Sequence, residues 1–352
     1  MKTIFNTIYV KYSFILSLFF MATVTFAQEE EEAKPKFALS GSIDAYYRAN
    51  LNSANSGANY SAPGSSFANL PGFALGMANV IAGYEGEKVG FVADLVFGPR
   101  GTDAIFASPM YSATGNIVNQ LYAYWNVSDN VTLTFGNFNT FLGYEVISPV
   151  ANFNYSTSYL FSYGPFSHTG LKADFDLGND WSAMLAVMNP TDLTEFNPNG
   201  KYAYGAQLGY SGQYLNFLAD DGSFEVDFTG GFDVSEDFFL GINAAYFDGA
   251  EGIGSFAGAA IYPQLTTSEN FTIGLRGEYF TETDFFGAIG ATDTEGDASV
   301  FAVTLTGSAT IGDLIIKPEL RLDSASEDAF LDADGEPLGS LSSFVIAAIY
   351  SF

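Results

Sequence analysis

Segments of about ten residues whose side chains alternate strictly between apolar and polar recur through this chain, and a period of two marks a strand with two unlike faces. In residues 37–48 one face reads Phe37, Leu39, Gly41, Ile43, Ala45 and Tyr47, the other Ala38, Ser40, Ser42, Asp44, Tyr46 and Arg48. The same split sets Phe224, Val226, Phe228 and Phe232 against Glu225, Asp227, Thr229 and Asp233. It is sharpest at 314–323, where Leu314, Ile316, Pro318, Leu320 and Leu322 oppose Ile315, Lys317, Glu319, Arg321 and Asp323. Alternation alone fits either a sheet with one wet face or a barrel in lipid with a wet interior.

The connections separate these two. Strands are expected at 37–50, 116–127, 223–234, 270–280 and 343–352, among about 16 in all. Connections from even to odd strands are short and rich in turn formers: 86–88, 128–130, 178–180, 211–212, 235–237, 266–269 and 312–313. Those from odd to even strands are mostly long: 51–71, 98–115, 140–166, 190–201, 281–298 and 324–342, with 220–222 and 248–253 the short exceptions. A soluble sheet has no reason to sort loop length by parity. An outer-membrane barrel has one, because its turns face the periplasm and its loops the exterior. The expected fold is all-β: a transmembrane antiparallel up-and-down barrel, with roughly 14 or 18 strands as the neighbouring even counts. Both termini then lie on the periplasmic side.

The ends of the chain agree. Residues 1–27 read as a secretory signal, with Lys2 and Lys11 before an apolar run at 13–24 too short to span a bilayer, and small residues Thr25 and Ala27 at the cleavage site. An acidic periplasmic tail, 28–36, precedes the barrel at 37–352. Phe344, Ile346, Ala348, Tyr350 and Phe352 share one face, and this ending resembles the terminal signature of Gram-negative outer-membrane barrels. The barrel-assembly machinery is the partner implied by Phe352.

Composition narrows the chemistry. Asp+Glu at 40 against Lys+Arg at 12 gives a net charge of −28, which opposes nucleic-acid binding. With 48% hydrophobic and 16% aromatic residues the chain is too apolar to be a disordered acidic protein. No Cys and one His exclude a disulfide framework, a thiolate site and a His-rich metal centre. His168 falls on the inner face and no G-x-S-x-G motif is present, so no catalytic residue and no cofactor are expected.

The inner face is expected to line a pore with Asp44, Arg48, Asp94, Lys172, Asp174, Asp176, Glu225, Asp227, Arg276, Glu278, Lys317, Glu319, Arg321 and Asp323, together with Asp233. Its surplus of acids predicts a modest cation preference. The longest connection, 140–166, holds Phe141, Tyr144, Phe153, Tyr155, Tyr159, Phe161, Tyr163 and Phe166 but only one charge, Glu145. So aromatic a loop is poorly suited to open water. It is expected to fold inward as a constriction with Glu145 as its one charge; the alternative is an extracellular cap. At the rim, Asp332, Asp334 and Glu336 surround Gly335 in a weak calcium-loop pattern that lacks the full 12-residue arrangement. Divalent bridging to lipopolysaccharide is a second reading of these rim acids.

One stretch carries a family resemblance. Phe135-Gly136-Asn137-Phe138, Leu142-Gly143-Tyr144-Glu145, Asn154-Tyr155-Ser156, Ser158-Tyr159 and Pro165-Phe166-Ser167-His168-Thr169-Gly170 resemble the OmpL-like putative β-barrel porin family of Gram-negative bacteria over residues 135–189. Asn137, where the family has Gln, and Pro190, where Gly and an aromatic are common, depart from its pattern. The resemblance implies an outer-membrane porin for passive diffusion of small hydrophilic solutes. Outer-membrane lipid and lipopolysaccharide would surround it, and a homotrimer would be its assembly. Two rival readings stand beside it: a non-conducting barrel that acts as a surface ligand-binding protein or adhesin, and a transporter of hydrophobic compounds.

Overall fold

The computed structural model describes residues 36–105 and 117–352. The expected signal at 1–27 and all but the last residue of the acidic tail lie outside the described residues. The strands are β1 (Lys36–Asn50), β2 (Gly72–Glu85), β3 (Val89–Phe97), β4 (Val118–Ser128), β5 (Val131–Asn139), β6 (Ser167–Gly178), β7 (Trp181–Met188), β8 (Ala203–Tyr210) and β9 (Gln213–Asp220). They continue as β10 (Ser223–Asp233), β11 (Phe238–Asp248), β12 (Ser255–Ser268), β13 (Phe271–Thr283), β14 (Ala298–Ile311), β15 (Leu314–Ala325), β16 (Phe330–Leu331), β17 (Pro337–Leu338) and β18 (Ser340–Ser351). Two short helices interrupt the long connections, α1 (Pro99–Ala104) and α2 (Tyr159–Tyr163).

β1 to β15 pair antiparallel in sequence order, β15 pairs with β18, and β18 pairs back onto β1 to close a barrel of 16 strands, while β16 and β17 pair only with each other. At the seam Ala45 faces Ala348 and Ile43 faces Tyr350. Phe352 and Gly41 exchange backbone hydrogen bonds of 3.0 and 3.1 Å, so the terminal residue completes the ladder. Closure leaves no unpaired sheet edge, which lipid requires.

The expected spans sit where the strands are, with three informative differences. β13 runs on to Thr283, β18 starts at Ser340 rather than 343, and the last long connection carries its own hairpin, β16–β17. These additions extend beyond the apolar band, where no outward hydrophobic residue marks alternate positions. The outer surface is apolar: Phe73, Phe135, Leu185, Phe301 and Leu320 are all exposed. The polar faces point inward and are largely buried, the reverse of a soluble protein. The packed core sits inside the barrel, around α2 and the inner faces of β12–β14.

Candidate functional site: the loop inside the barrel

Connection 140–166 leaves β5, turns into the lumen and returns at β6. His168 holds its root: Nε2 lies 3.0 Å from Thr140 Oγ1, and the rings of Phe138 and Phe141 flank the imidazole. The Gly143 N–H donates to Asp227 Oδ1 on β10 at 3.0 Å. Glu145 then crosses to β13, where its carboxylate meets Arg276 Nη1 at 2.7 Å with both side chains buried.

The far limb is bound by charges of the wall. Tyr159 and Leu160 N–H donate to Glu278 at 3.0 and 2.8 Å. Tyr155 N–H and the Ser156 hydroxyl donate to Glu319, and the Tyr155 hydroxyl donates to Asp44. Lys317 Nζ donates to the Pro149 carbonyl at 2.9 Å and to that of Asn152. Arg321 grips Asp323, with Nη2 at 2.7 Å from Oδ1, and donates to the Thr157 carbonyl at 2.8 Å. The physical reason is general. A segment inside a barrel needs partners for its backbone N–H and C=O groups. A charged wall supplies them, carboxylates for the N–H groups and cations for the carbonyls.

Aromatic residues of the loop seat on glycines of the wall. A Cβ at Gly205 would stand 2.5 Å from the Phe141 ring, one at Gly241 2.4 Å from the Tyr144 hydroxyl, and one at Gly274 2.4 Å from the Phe153 ring. Tyr144 stacks on Tyr262 with ring centroids 4.3 Å apart, and Tyr159 packs on Phe280 at 5.6 Å. The Tyr163 hydroxyl lies between the carbonyls of Gly64 and Ala288, at 2.9 and 3.0 Å. On the opposite wall Phe138 and Leu142 cover an apolar patch that includes Val92, Tyr122, Met184, Met188 and Leu218.

Each barrel strand, from β1 with Asp44 through His168, Asp227 and Arg276 to β18 with Val345, has at least one buried inward residue. Buried inward residues thus occur all round the wall, and loop 140–166 crosses the lumen between β5–β6 and β13–β15. Below it, toward the short turns, the interior is wetter. Lys172 and Asp174 form a half-buried pair at 3.0 Å. A cavity of about 250 Å³ at this mouth is lined by Asp233, Glu236, Asp237, Phe153 and Phe239 among others.

The structure therefore places the expected residues in three settings. Asp44, Arg48, Asp94, Glu225, Asp227, Arg276, Glu278, Lys317, Glu319, Arg321 and Asp323 are buried on the inner face. Asp94 is held by Asn119 at 2.6 Å and Asn79 at 3.3 Å, apart from the loop. Asp176 is exposed beside the turn, where it accepts the Gly178 N–H at 2.8 Å. Glu145 is no free charge at a narrowing, because Arg276 neutralises it. In the rim hairpin Asp332 turns its carboxylate to the N–H groups of Asp334 and Glu336, at 2.8 and 3.0 Å. Among the described residues no group of three or more His, Cys, Asp and Glu side chains converges on a metal position.

Some contributors carried no periodic signal in the sequence. Arg100, in α1, donates to the carbonyls of Ile147 and Tyr155 at 2.8 and 3.0 Å and lies over the Phe67 ring. Asp192, in the connection after β7, accepts the N–H groups of Phe166 and Ser167 at 2.9 and 2.8 Å and so fixes the loop's exit. Burial pushes its carboxyl up to about 6, against those two hydrogen bonds, and Asp220 adds to the rise. The glycine seats did leave a trace, since glycine within a strand marks a close approach of another group.

The family model described as putative beta-barrel porin-2, OmpL-like, matches residues 36–352. No curated protein matches the sequence. Among solved structures, the outer membrane channel DcaP of Acinetobacter baumannii is similar with a TM-score of 0.57 at 13% identity, over 93% of this chain and 100% of that one. OmpF of Salmonella typhi, in complex with daunomycin, gives 0.58 at 11% identity over 90% and 97%. OmpT of Vibrio cholerae, an outer membrane protein in its trimer form, gives 0.53 at 11% identity over 90% and 99%. At these identities the likeness is one of fold. The family match covers the whole described barrel, and the chain belongs to the OmpL-like putative beta-barrel porin-2 family of the outer membrane.

Proposed function

We propose that this chain is a porin for passive diffusion of small hydrophilic solutes, with loop 140–166 governing the passage. The observation that carries the reading is a closed barrel whose inner wall bears the charged side chains of β1, β3, β6, β10, β13 and β15 while the lipid face is apolar. Besides its apolar packing the loop is held by hydrogen bonds and an ion pair to the wall, and water can replace those polar contacts when the loop moves. The reading assigns no chemistry to the barrel: His168 is buried on the inner face against Thr140 and two aromatic rings, away from lipid. A modest cation preference draws support from Asp233, Glu236 and Asp237 at the periplasmic mouth. A homotrimer is the assembly proposed, by analogy with the trimer form of OmpT. Barrel-assembly machinery reading Phe352, and lipopolysaccharide at the acidic rim, are the partners proposed.

The test is single-channel conductance and reversal potential in a KCl gradient, for the mature chain refolded in lipid. Small, intermittent steps with a cation-selective reversal are expected. Anion selectivity would keep the channel and remove the wall-charge reading. Silence from protein that is folded by heat-modified gel mobility would overturn the porin. The loop bonded across the lumen favours that second reading, a closed barrel that displays its outer loops to a surface ligand.

A further inference from the structure

Opposite charges of the wall fasten the middle of loop 140–166, but its exit is held differently. Acids gather there from three elements: Asp192 in the connection after β7, Asp220 at the end of β9, and Glu225 and Asp227 on β10. Asp192 accepts the N–H groups of Phe166 and Ser167, and Asp220 accepts that of Thr191 at 2.7 Å. Asp227 is satisfied by N–H donors from Gly143, Asn216 and Asn243. Glu225 stands apart. It is 5% exposed, the charged groups that act on it are Asp227 and Asp192, and no donor or cation among the described residues meets it. It is aimed at the exit, with Oε1 3.7 Å from where a Cβ on Gly164 would stand.

Among the described residues no base acts on Asp192, Glu225 or Asp227. β9 and β11 set Leu218 and Phe247 opposite Glu225. The loop presents Leu160, Phe161 and Pro165 to it, and the loop's own charge, Glu145, belongs to Arg276. In the connection after β7, Glu195 is exposed and Lys201 pairs with Asp221. On β6, His168 bonds to Thr140 at the loop's root. The gap between β10 and the exit, about 10 Å³, holds no more than one water. Carboxylates in so dry a place are costly, and each raises the cost of the next.

We propose that Asp192 and Glu225 form a proton-operated latch on the exit of loop 140–166: with a proton on each the exit stays against β10, and with both ionised their repulsion, joined by that of Asp227, loosens it. The neutral acid of Asp192 keeps an acceptor oxygen for Phe166 and Ser167, so protonation removes charge without removing the bonds. Asp192 sets the pH window. Burial and Asp220 push its carboxyl up to about 6, against its two hydrogen bonds. An acid so raised binds its proton more tightly in the docked state, so docking strengthens as pH falls from about 6 toward the ordinary carboxylate range and is weakest above about 6. The latch concerns the position of the loop, not conduction.

Hydrogen exchange of the chain refolded in lipid tests this. Protection of residues 160–167, corrected for the intrinsic pH dependence of exchange, is followed against the strand amides of β12–β14. Between about pH 7.5 and about pH 4.5 the exit should gain at least about tenfold protection, and β12–β14 much less. Glu225→Gln and Asp192→Asn should each shrink the gain, and together should hold the exit at the parent's acid level at every pH. Both changes are isosteric, and heat-modified gel mobility checks that each barrel folds. Glu225→Asp should keep the response. Protection that is flat with pH in the parent overturns the latch. So does a gain shared equally by β12–β14, which would report the stability of the barrel. A gain that survives in the double variant also overturns it, and passes the titration to His168 at the loop's root. Each outcome is independent of whether the barrel passes current.

Discussion

Arg276 is where the loop's position is most exposed to a single change. It faces Thr304 across β14, and Thr304 faces Arg321 across β15, so two cations share one row of the inner wall. Arg321 is paired within its own strand by Asp323, whereas among the described residues the ion-pair partner of Arg276 is Glu145 of the loop. Removing one member of a buried pair costs about 3–5 kcal/mol, because the other stays charged and dry. The barrel ladder does not depend on that pair, so the loop should yield first. In Arg276→Met, chymotrypsin should cut at Phe141, Tyr144 or Tyr155, residues that are buried or half-buried in the parent, and conductance should rise. Glu145→Gln with Arg276→Met should largely restore protection. Cleavage at the parent rate in the single variant would show that the ion pair does not hold the loop. Burial of Glu145 was not legible in the sequence, since a lone charge in an aromatic loop reads equally well as a free group.

Strands are the scale at which the sequence speaks most clearly. Lipid on one side and polar partners on the other force a change of residue type at every step, and the hairpin turns need Gly, Asn, Asp or Ser in two or three places. In β10, Phe228 points outward and Thr229 inward, where Thr229 is fully buried. Phe228→Arg should impair assembly by about 2–4 kcal/mol if it lies at the bilayer midplane. Thr229→Ser should fold with parental gel mobility, because it keeps the hydroxyl and adds no volume under the loop. Equal loss of folded protein in both would reverse the inward and outward assignment of β10. Strand ends were less legible, as in the extra residues of β13 and β18, because past the apolar band nothing demands alternation.

For the whole molecule, barrel and plug are separable in construction. The barrel is held by ladders between neighbouring strands, while the plug is held by side chains of many strands acting on one loop. Replacing residues 146–157 with a short Gly-Ser linker should therefore leave heat-modified mobility intact and enlarge the conductance steps. Loss of folded barrel in that variant would show that the plug is part of the folding core.

The sequence by itself determined the barrel: its strand rhythm, its closure, the sorting of turns from loops, and which face meets lipid. Each follows from a local rule, the period of two and the turn formers, imposed by a solvent that cannot hydrogen-bond to the backbone. Only the tertiary structure decided what fills the lumen. Glu319 and Tyr155, or Arg276 and Glu145, are more than 100 residues apart. No local pattern says whether a charged wall faces water or the backbone of a folded loop, because both satisfy the same donors and acceptors. The loop wins here because its aromatics find glycine seats at Gly205, Gly241 and Gly274, and its peptide groups find the carboxylates and cations of the wall.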